Sequence, residues 1–520
     1  MDPLTLEVVR HSLAGIAEEM GATLRRTARS PNITEREDAS CALATPAGEM
    51  CAQAEHIPVH LGAMPASIAA VLERFGDLAE GDAVLVNDPF AGGTHLNDLT
   101  LVSPVFDGGA LLGYVANRAH HADVGGKVPG SMPGDSTDVY QEGFRLPPVL
   151  AWRRGEPDAT VLALIAANSR TPAERRGDLA AQAGANAVGA ARLRALARRI
   201  GTAALAGAMS GLIDYSERAV RAGIAGLPDG EWSFEDFLDS DGSGSSLIVP
   251  VRIAATVRIR GDEMVVDFTG TDPQVRGNVN APLAVTISAV TYVVRALIGP
   301  DIPPTAGGMR PVTVIAPPGT VVNARSPAAV SAGNTETSQR IVDAVFGALA
   351  QAVPDAIPAA SQGTMNNLII GGPSFAYYET IGGGQGGRPG LAGMDGVHTG
   401  MTNTKNTPAE ALEYAYPLRV RRYELRDATG GEGRWRGGAG IRRDVEVLCD
   451  SATVSLQTER RTRAPWGLAG GGPGAPGRNV LLRDGTETNL PDKVTLEVRK
   501  HDIISVQTPG GGGWGRSVSV

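Results

Sequence analysis

At 520 residues, with 42% apolar and 20% charged residues, the chain is globular in composition and too long for one ordinary domain, so two or three folding units are expected. A net charge of -9, without a basic cluster long enough to follow a phosphate backbone, argues against nucleic acid as a partner. No apolar run reaches the roughly 18 residues that a bilayer demands, no signal peptide precedes the first helix, and Cys41, Cys51 and Cys449 are too few for a disulfide framework; a cytoplasmic protein without membrane association is expected.

Asp2-Pro3 reads as a helix start, with Asp2 as N-cap. Leu6, Val9, Leu13, Ile16, Met20 and Leu24 then recur at helical spacing, and the helix ends near Ser30-Pro31. A second helix is expected from about Pro65 to Phe75. Ala83 to Val86 reads as a short strand. Leu99 to Phe106 and Ala110 to Val115 read as a hairpin about the turn Asp107-Gly108-Gly109. Thr171-Pro172-Ala173-Glu174 has the capping-box pattern and opens two or more long helices reaching about Gly226. From Leu247 apolar residues alternate (Val249, Val251, Ile253, Val257, Ile259), and Met264 to Phe268 returns after the turn Arg260-Gly261-Asp262. Helices follow around Val285 to Ile298 and Thr337 to Val353, the latter with Thr335 or Thr337 as cap. Short strands and glycine turns run from about Leu418 to the end, in a chain that carries 67 glycines. The expected fold class is α/β (α+β mixed): a multi-layer protein with long N-terminal and central helices, mixed sheets and a glycine-rich, β-dominated C-terminal region. Its expected divisions are 1–170, 171–417 and 418–520.

The chemistry concentrates at the hairpin. Asn87 to Asp98, containing His95, leads into it, and Asn117 to Asp123, containing His120 and His121, leaves it. With the turn centred between Gly108 and Gly109, residues whose numbers sum to about 217 lie opposite one another. Asp98 then faces Ala119 or His120, and His95 faces His121 or Ala122, close enough for one metal ion to bridge. Imidazole and carboxylate suit Zn²⁺, Mn²⁺ or Fe²⁺. Strand neighbours point to opposite faces, so only one of His120 and His121 can enter a given site.

Several stretches carry a family resemblance: Ser30 to Ala42, Gln53 to Met64, Asn87 to Asp98, His120 to Gly126, Asp267 to Thr271, Gly333 to Arg340, Met401 to Pro408 and Thr508 to Gly513. In this order and over nearly the whole chain, they resemble the hydantoinase B/oxoprolinase family. The resemblance implies the metal-bearing catalytic subunit of an ATP-dependent enzyme that hydrolyses cyclic amides of the hydantoin or 5-oxoproline type. Its implied partner is a hydantoinase A-type, actin-like subunit that uses ATP to phosphorylate the substrate's carbonyl oxygen, giving a hetero-oligomer. A ketone carboxylase subunit of the acetone or acetophenone type is the alternative, and a non-catalytic scaffold a third. The family pattern places His95, Asp98 and His120 as metal ligands, with Asp38 as a fourth candidate. In the hydrolytic reading, Asp123 or His121 would take or relay a proton.

Other motifs carry less. The runs Gly382 to Gly387 and Gly510 to Gly515 satisfy Gly-x-Gly-x-x-Gly, but neither opens a helix after a strand, so tight turns are expected. His56 and His60 flank a proline and read as structural. Glu35, Arg36 and Asp38 either line the site or form a solvated loop. Thr402, Asn403, Thr404, Asn406 and His398 either orient an amide substrate or shape turns.

Overall fold

The computed structural model describes residues 3–54, 57–244, 249–299 and 301–517. Asp2, His56 and Leu247 lie outside the described residues.

α1 (Pro3–Thr27) buries Val9, Leu13, Ile16, Met20 and Leu24, the stripe that its sequence spacing creates. The single turn α2 (Pro31–Thr34) leads into β1 (Ala39–Ala44) and β2 (Met50–Ala54). Next come α3 (Ala63–Arg74), β3 (Ala83–Val86), β4 (Asp98–Asp107), β5 (Ala110–His120), β6 (Val149–Arg153) and β7 (Glu156–Pro157). The strands form one seven-stranded antiparallel sheet ordered β2-β1-β5-β4-β3-β6-β7. α4 (Ala159–Ala167) precedes the long helices α5 (Pro172–Ile200) and α6 (Thr202–Ala225). Thr171 does not cap α5 as its sequence pattern suggests. Ser169 captures the local backbone instead, its hydroxyl accepting from Thr171 N at 3.1 Å.

Strand alternation sorts the two faces of this sheet. Val115 and Ala119 of β5 join the core made with α1, α5 and α6, whereas Tyr114 and Ala116 join the core beneath α3. Arg118 and His120 continue the second series, and Asn117 the first. The side of the sheet on which each polar residue falls is thereby fixed.

The middle of the chain builds a second sheet from β8 (Gly230–Leu238), β9 (Val251–Arg260) and β10 (Glu263–Asp267), joined after α7 (Leu283–Ile298) by β11 (Val312–Ile315). Its order is β11-β10-β9-β8, and the crossover through α7 makes β11 parallel to β10. The alternating Val251, Ile253, Ala255, Val257 and Ile259 bury against α7 and α8 (Ser338–Ala352). A π-helical turn, Gly333–Thr337, precedes α8 where the sequence suggested an ordinary capped start. Neither threonine caps: the Thr337 hydroxyl donates to the Val279 carbonyl at 2.5 Å, and the Asn280 carbonyl presses so closely on Gly333 that a Cβ there has no room.

The remaining elements are β12 (Asn367–Gly372), β13 (Phe375–Glu379), α9 (Ala409–Ala415), β14 (Leu418–Arg426), β15 (Gly440–Val447), β16 (Ser451–Gln457), β17 (Arg478–Arg483), β18 (Thr486–Leu490), β19 (Lys493–Arg499) and β20 (Ile503–Gln507). They form sheets ordered β13-β12-β16-β19 and β14-β15-β20-β17-β18. The two share a core of Leu368, Ile370, Val454 and Leu456 with Val445, Ile504 and Val506, as stacked sheets do. Packing crosses both expected boundaries: α5 and α6 lie on the first sheet, and β12 and β13 belong to the C-terminal sandwich. The glycine runs are interleaved backbone, with Gly384 N donating to the Pro509 carbonyl at 3.0 Å and Gly511 N to the Gly438 carbonyl at 2.9 Å. Side chains there would collide with main chain.

Candidate metal centre

The hairpin register pairs Asp98, the first residue of β4, with His120, the last of β5. The loop before β4 is pinned by Asn87, whose amide donates to the carbonyls of Leu96 at 2.7 Å and Phe144 at 2.9 Å. Gly92, at φ +84°, lets this loop lie against the backbone of α3. Held in this way, His95 Nε2 lies 3.1 Å from Asp98 Oδ1, and His120 Nδ1 lies 3.3 Å from the same oxygen. Thr94 donates to Asp98 Oδ2 at 2.5 Å, and His60 Nε2 stands 3.5 Å from it. His95, Asp98 and His120 are all buried and each offers one donor atom within 4.8 Å of the other two.

This donor set fits a cation. Tetrahedral coordination with bonds of about 2.0–2.1 Å sets ligand atoms roughly 3.3 Å apart, near the spacing found here. Among the described residues, both nitrogens of His95 and Nε2 of His120 are buried without a hydrogen-bond partner, a costly state that a bound ion would relieve at one nitrogen of each ring it takes. Burial alone would raise the Asp98 carboxyl, but the surrounding imidazoles outweigh it and hold the group well below the usual carboxylate range.

Asp38 borders this trio without joining it. Its carbonyl accepts from His120 N at 3.1 Å, and the field of its carboxylate favours a charged His120 ring, which burial otherwise pulls down. His121 lies on the opposite side of the sheet, with Nε2 2.9 Å from Gln182 Oε1 on α5. Burial, then the charge of Arg175, pulls its pKa down to about 4. Asp123 is consumed by structure: Oδ1 accepts from Arg170 N at 2.9 Å, and Oδ2 from Gly130 N at 3.0 Å and Arg170 Nη1 at 3.1 Å. Neither of the two residues read as proton carriers is gathered with the trio, because alternation turns one away and a loop-closing ion pair occupies the other.

Residues distant in sequence complete the surroundings. His60, read as structural, is aimed at Asp98 by Ser40, whose hydroxyl lies 2.9 Å from His60 Nδ1. The Tyr378 ring stacks on His120 at 4.4 Å, and Arg36 lies over the Tyr378 ring at 4.7 Å. The Tyr378 hydroxyl donates to Asn367 Oδ1 at 2.9 Å, and Asn367 Nδ2 donates to Glu336 Oε1 at 3.0 Å. His398, Thr399, Thr402 and Asn403 line a cavity of about 360 Å³ with Gln339 and Trp466. Asn334 Oδ1, in the π-turn, is buried without a partner.

Burial pushes the Glu336 carboxyl up to about 8, so it is neutral at pH 7. A pKa raised in the folded state makes stability greatest below pH 4.5 and lost as pH rises towards 8. Glu336→Gln, which keeps the accepting oxygen and cannot ionise, should therefore match the wild type at pH 4 and exceed it by about 3 kcal/mol at pH 7. Unfolding midpoints measured at both pH values check this, and equal midpoints at pH 7 contradict it.

A buried His-Asp-His cluster at a loop-strand junction is a donor set that could hold a metal ion. The chain belongs to the hydantoinase B/oxoprolinase family, whose match covers residues 2–517. It is 39% identical to 5-oxoprolinase 1 of Arabidopsis thaliana over 99% of this chain, which spans only 42% of that protein's length. It is 35% identical to the B-type component of a putative D-/L-hydantoinase from a Pseudomonas strain, covering 99% of this chain and 90% of that one. The crystal structure of the ATP-dependent caprolactamase of Pseudomonas jessenii superposes with a TM-score of 0.92 at 33% identity, over 99% of this chain and 91% of that one. Acetone carboxylase shares the fold, with a TM-score of 0.91 at 18% identity over 99% of this chain and 76% of that one. Among the described residues, no helix is long and apolar enough to cross a membrane.

Proposed function

We propose that this chain is the metal-bearing subunit of an ATP-dependent cyclic amidase acting on rings of the hydantoin or 5-oxoproline type. The observation that carries the reading is the trio His95, Asp98 and His120, buried together with unpartnered imidazole nitrogens. These three would hold a divalent ion, with Asp38 as the nearest additional carboxylate. Such an ion supplies Lewis-acid activation at neutral pH.

The chain's own residues set the geometry. Asp98 Oδ1 draws His95 and His120 together, while Thr94 and His60 occupy Oδ2 and fix the carboxylate plane. Asn32 donates to the His120 carbonyl at 2.7 Å, and Tyr378 covers that ring and keeps bulk water from it. An amide carbonyl is a poor electrophile, and phosphorylation of its oxygen removes that obstacle. A separate ATP-using subunit of the hydantoinase A type is proposed to do this. Two likenesses support a partner: the plant 5-oxoprolinase extends well beyond the part this chain matches, and the Pseudomonas relative is named as one subunit of its hydantoinase.

The test is reconstitution of the chain with such an ATPase, presenting hydantoin, 5-oxoproline and simple lactams with and without ATP. Ring opening that requires both subunits, ATP and bound metal is expected. Bicarbonate-dependent consumption of a ketone would move the assignment to a carboxylase. Undiminished turnover by a metal-free His95→Ala variant would leave the chain a scaffold.

A further inference from the structure

Six arginines rank among the largest fully buried side chains: Arg36, Arg118, Arg175, Arg340, Arg443 and Arg460. Four are neutralised at short range. Arg175 meets Asp178 at 3.0 Å, Arg340 meets Asp343 at 2.8 Å, Arg443 meets Glu379 at 2.7 Å, and Arg460 meets Asp236 and Asp343 at 2.6 Å each. Among the described residues, Arg36 and Arg118 have no carboxylate oxygen within 4.0 Å. These two are the ones that flank the candidate metal centre.

Arg118 shares its strand face with His120 and bonds only neutral oxygens: Thr100 Oγ1 at 2.8 Å, Ser67 Oγ at 2.7 Å and the Ala63 carbonyl at 3.3 Å. Arg36 also has neutral partners alone. Its Nη1 bonds Asn32 Oδ1 and the Tyr378 carbonyl (3.1 Å), and its Nη2 bonds Thr380 Oγ1 (2.7 Å) and Thr404 Oγ1 (3.3 Å). Its Nε-H is buried with no partner. A guanidinium cannot shed its charge, and burying one without a counter-ion costs several kcal/mol. Asp98 cannot supply the missing charge, because a cation bound by the trio would claim it. Two unneutralised arginines beside a divalent ion call for a ligand with more than one negative charge.

Position narrows the choice. Arg36 touches the centre through Tyr378, which stacks on His120. On its other side its field reaches His398, which lines the cavity of about 360 Å³. The hydroxyls of Thr380 and Thr404, already beside its Nη2, lie 2.5 Å apart, so one donates to the other and one is left to donate to a further anionic oxygen. We propose that Arg36 is the anion-recognition residue of the centre and takes the phosphoryl group of a substrate activated on its carbonyl oxygen, with Arg118 adding positive potential from the face of β5 that carries His120. This rests on the amidase reading for the identity of the anion.

The experiment is calorimetric titration of inorganic phosphate, the leaving group of that reaction, into the metal-loaded full-length chain. Wild type, Arg36→Gln and Arg36→Lys are compared, with metal content and unfolding midpoint measured on each. Arg36→Gln should bind phosphate at least about tenfold more weakly, roughly 1.4 kcal/mol. Arg36→Lys should fall between, since an ammonium keeps the charge and loses the planar fork. Bound metal should not change. Phosphate affinity equal to wild type in either variant, or none in the wild type, overturns the proposal. Should Arg36→Gln fail to fold, Arg36→Lys decides: a several-fold loss supports the proposal and an unchanged affinity ends it. A wild type that binds phosphate through Arg36 but no metal keeps this inference and removes the metal-centre reading.

Discussion

Asp98→Asn should empty the centre of metal and lower ATP-dependent turnover by at least about a thousandfold. Among the described residues, Asp98 is the one side chain that meets His60, His95 and His120 together. An asparagine keeps the shape but offers a neutral ligand, and one arm of it would turn an N-H towards imidazole nitrogens or the Thr94 hydroxyl. Asp38→Asn should be milder, about 10–100-fold in metal affinity, because it keeps the main-chain carbonyl that holds His120 N and removes only the field of a carboxylate outside the trio. Metal content per chain and turnover of the reconstituted complex are the readouts. Full metal occupancy and near-normal turnover in Asp98→Asn would remove the chemistry argued for this site.

The largest effect on stability is expected from Arg460→Met, about 3–5 kcal/mol. Arg460, beyond the end of β16, grips Asp236 of β8 and Asp343 of α8, all three buried. Arg340 shares both carboxylates, at 2.8 Å to Asp343 and 3.5 Å to Asp236. Removing Arg460 leaves two buried acids against one cation, and methionine cannot bond either. The cluster fastens the C-terminal sandwich to the central sheet, so the loss should appear as a lower denaturant midpoint with metal content retained. A midpoint within error of wild type would mean the cluster is not what joins them.

The hairpin was readable because a single turn, Asp107-Gly108-Gly109, sets its register, and counting outward brings Asp98 to His120. One bulge, between Val105 and Phe106, shifts the count by a single place. Alternation likewise foretold that His120 and His121 part company. Amphipathic helices and the strand β9 were legible for the same reason, since their period is local. What escaped depends on tertiary neighbours. His60 looked structural beside Pro58, and only the packing of β1 sets Ser40 behind it. Tyr378 and Arg36 lie 342 positions apart and meet through a sheet that no local pattern announces. The π-turn before α8 starts where the Asn280 carbonyl presses on Gly333, a contact invisible in a run that otherwise reads as a helix start. The ion pair of Asp123 is likewise invisible locally, because its partner Arg170 belongs to a different segment.

Crystals of the active complex, measured on either side of the zinc, manganese and iron absorption edges, give the most direct test. One anomalous peak per chain, within bonding distance of the side chains of His95, Asp98 and His120, is the predicted result. A fully active complex with no peak between those residues, or with its metal bound elsewhere, would contradict it.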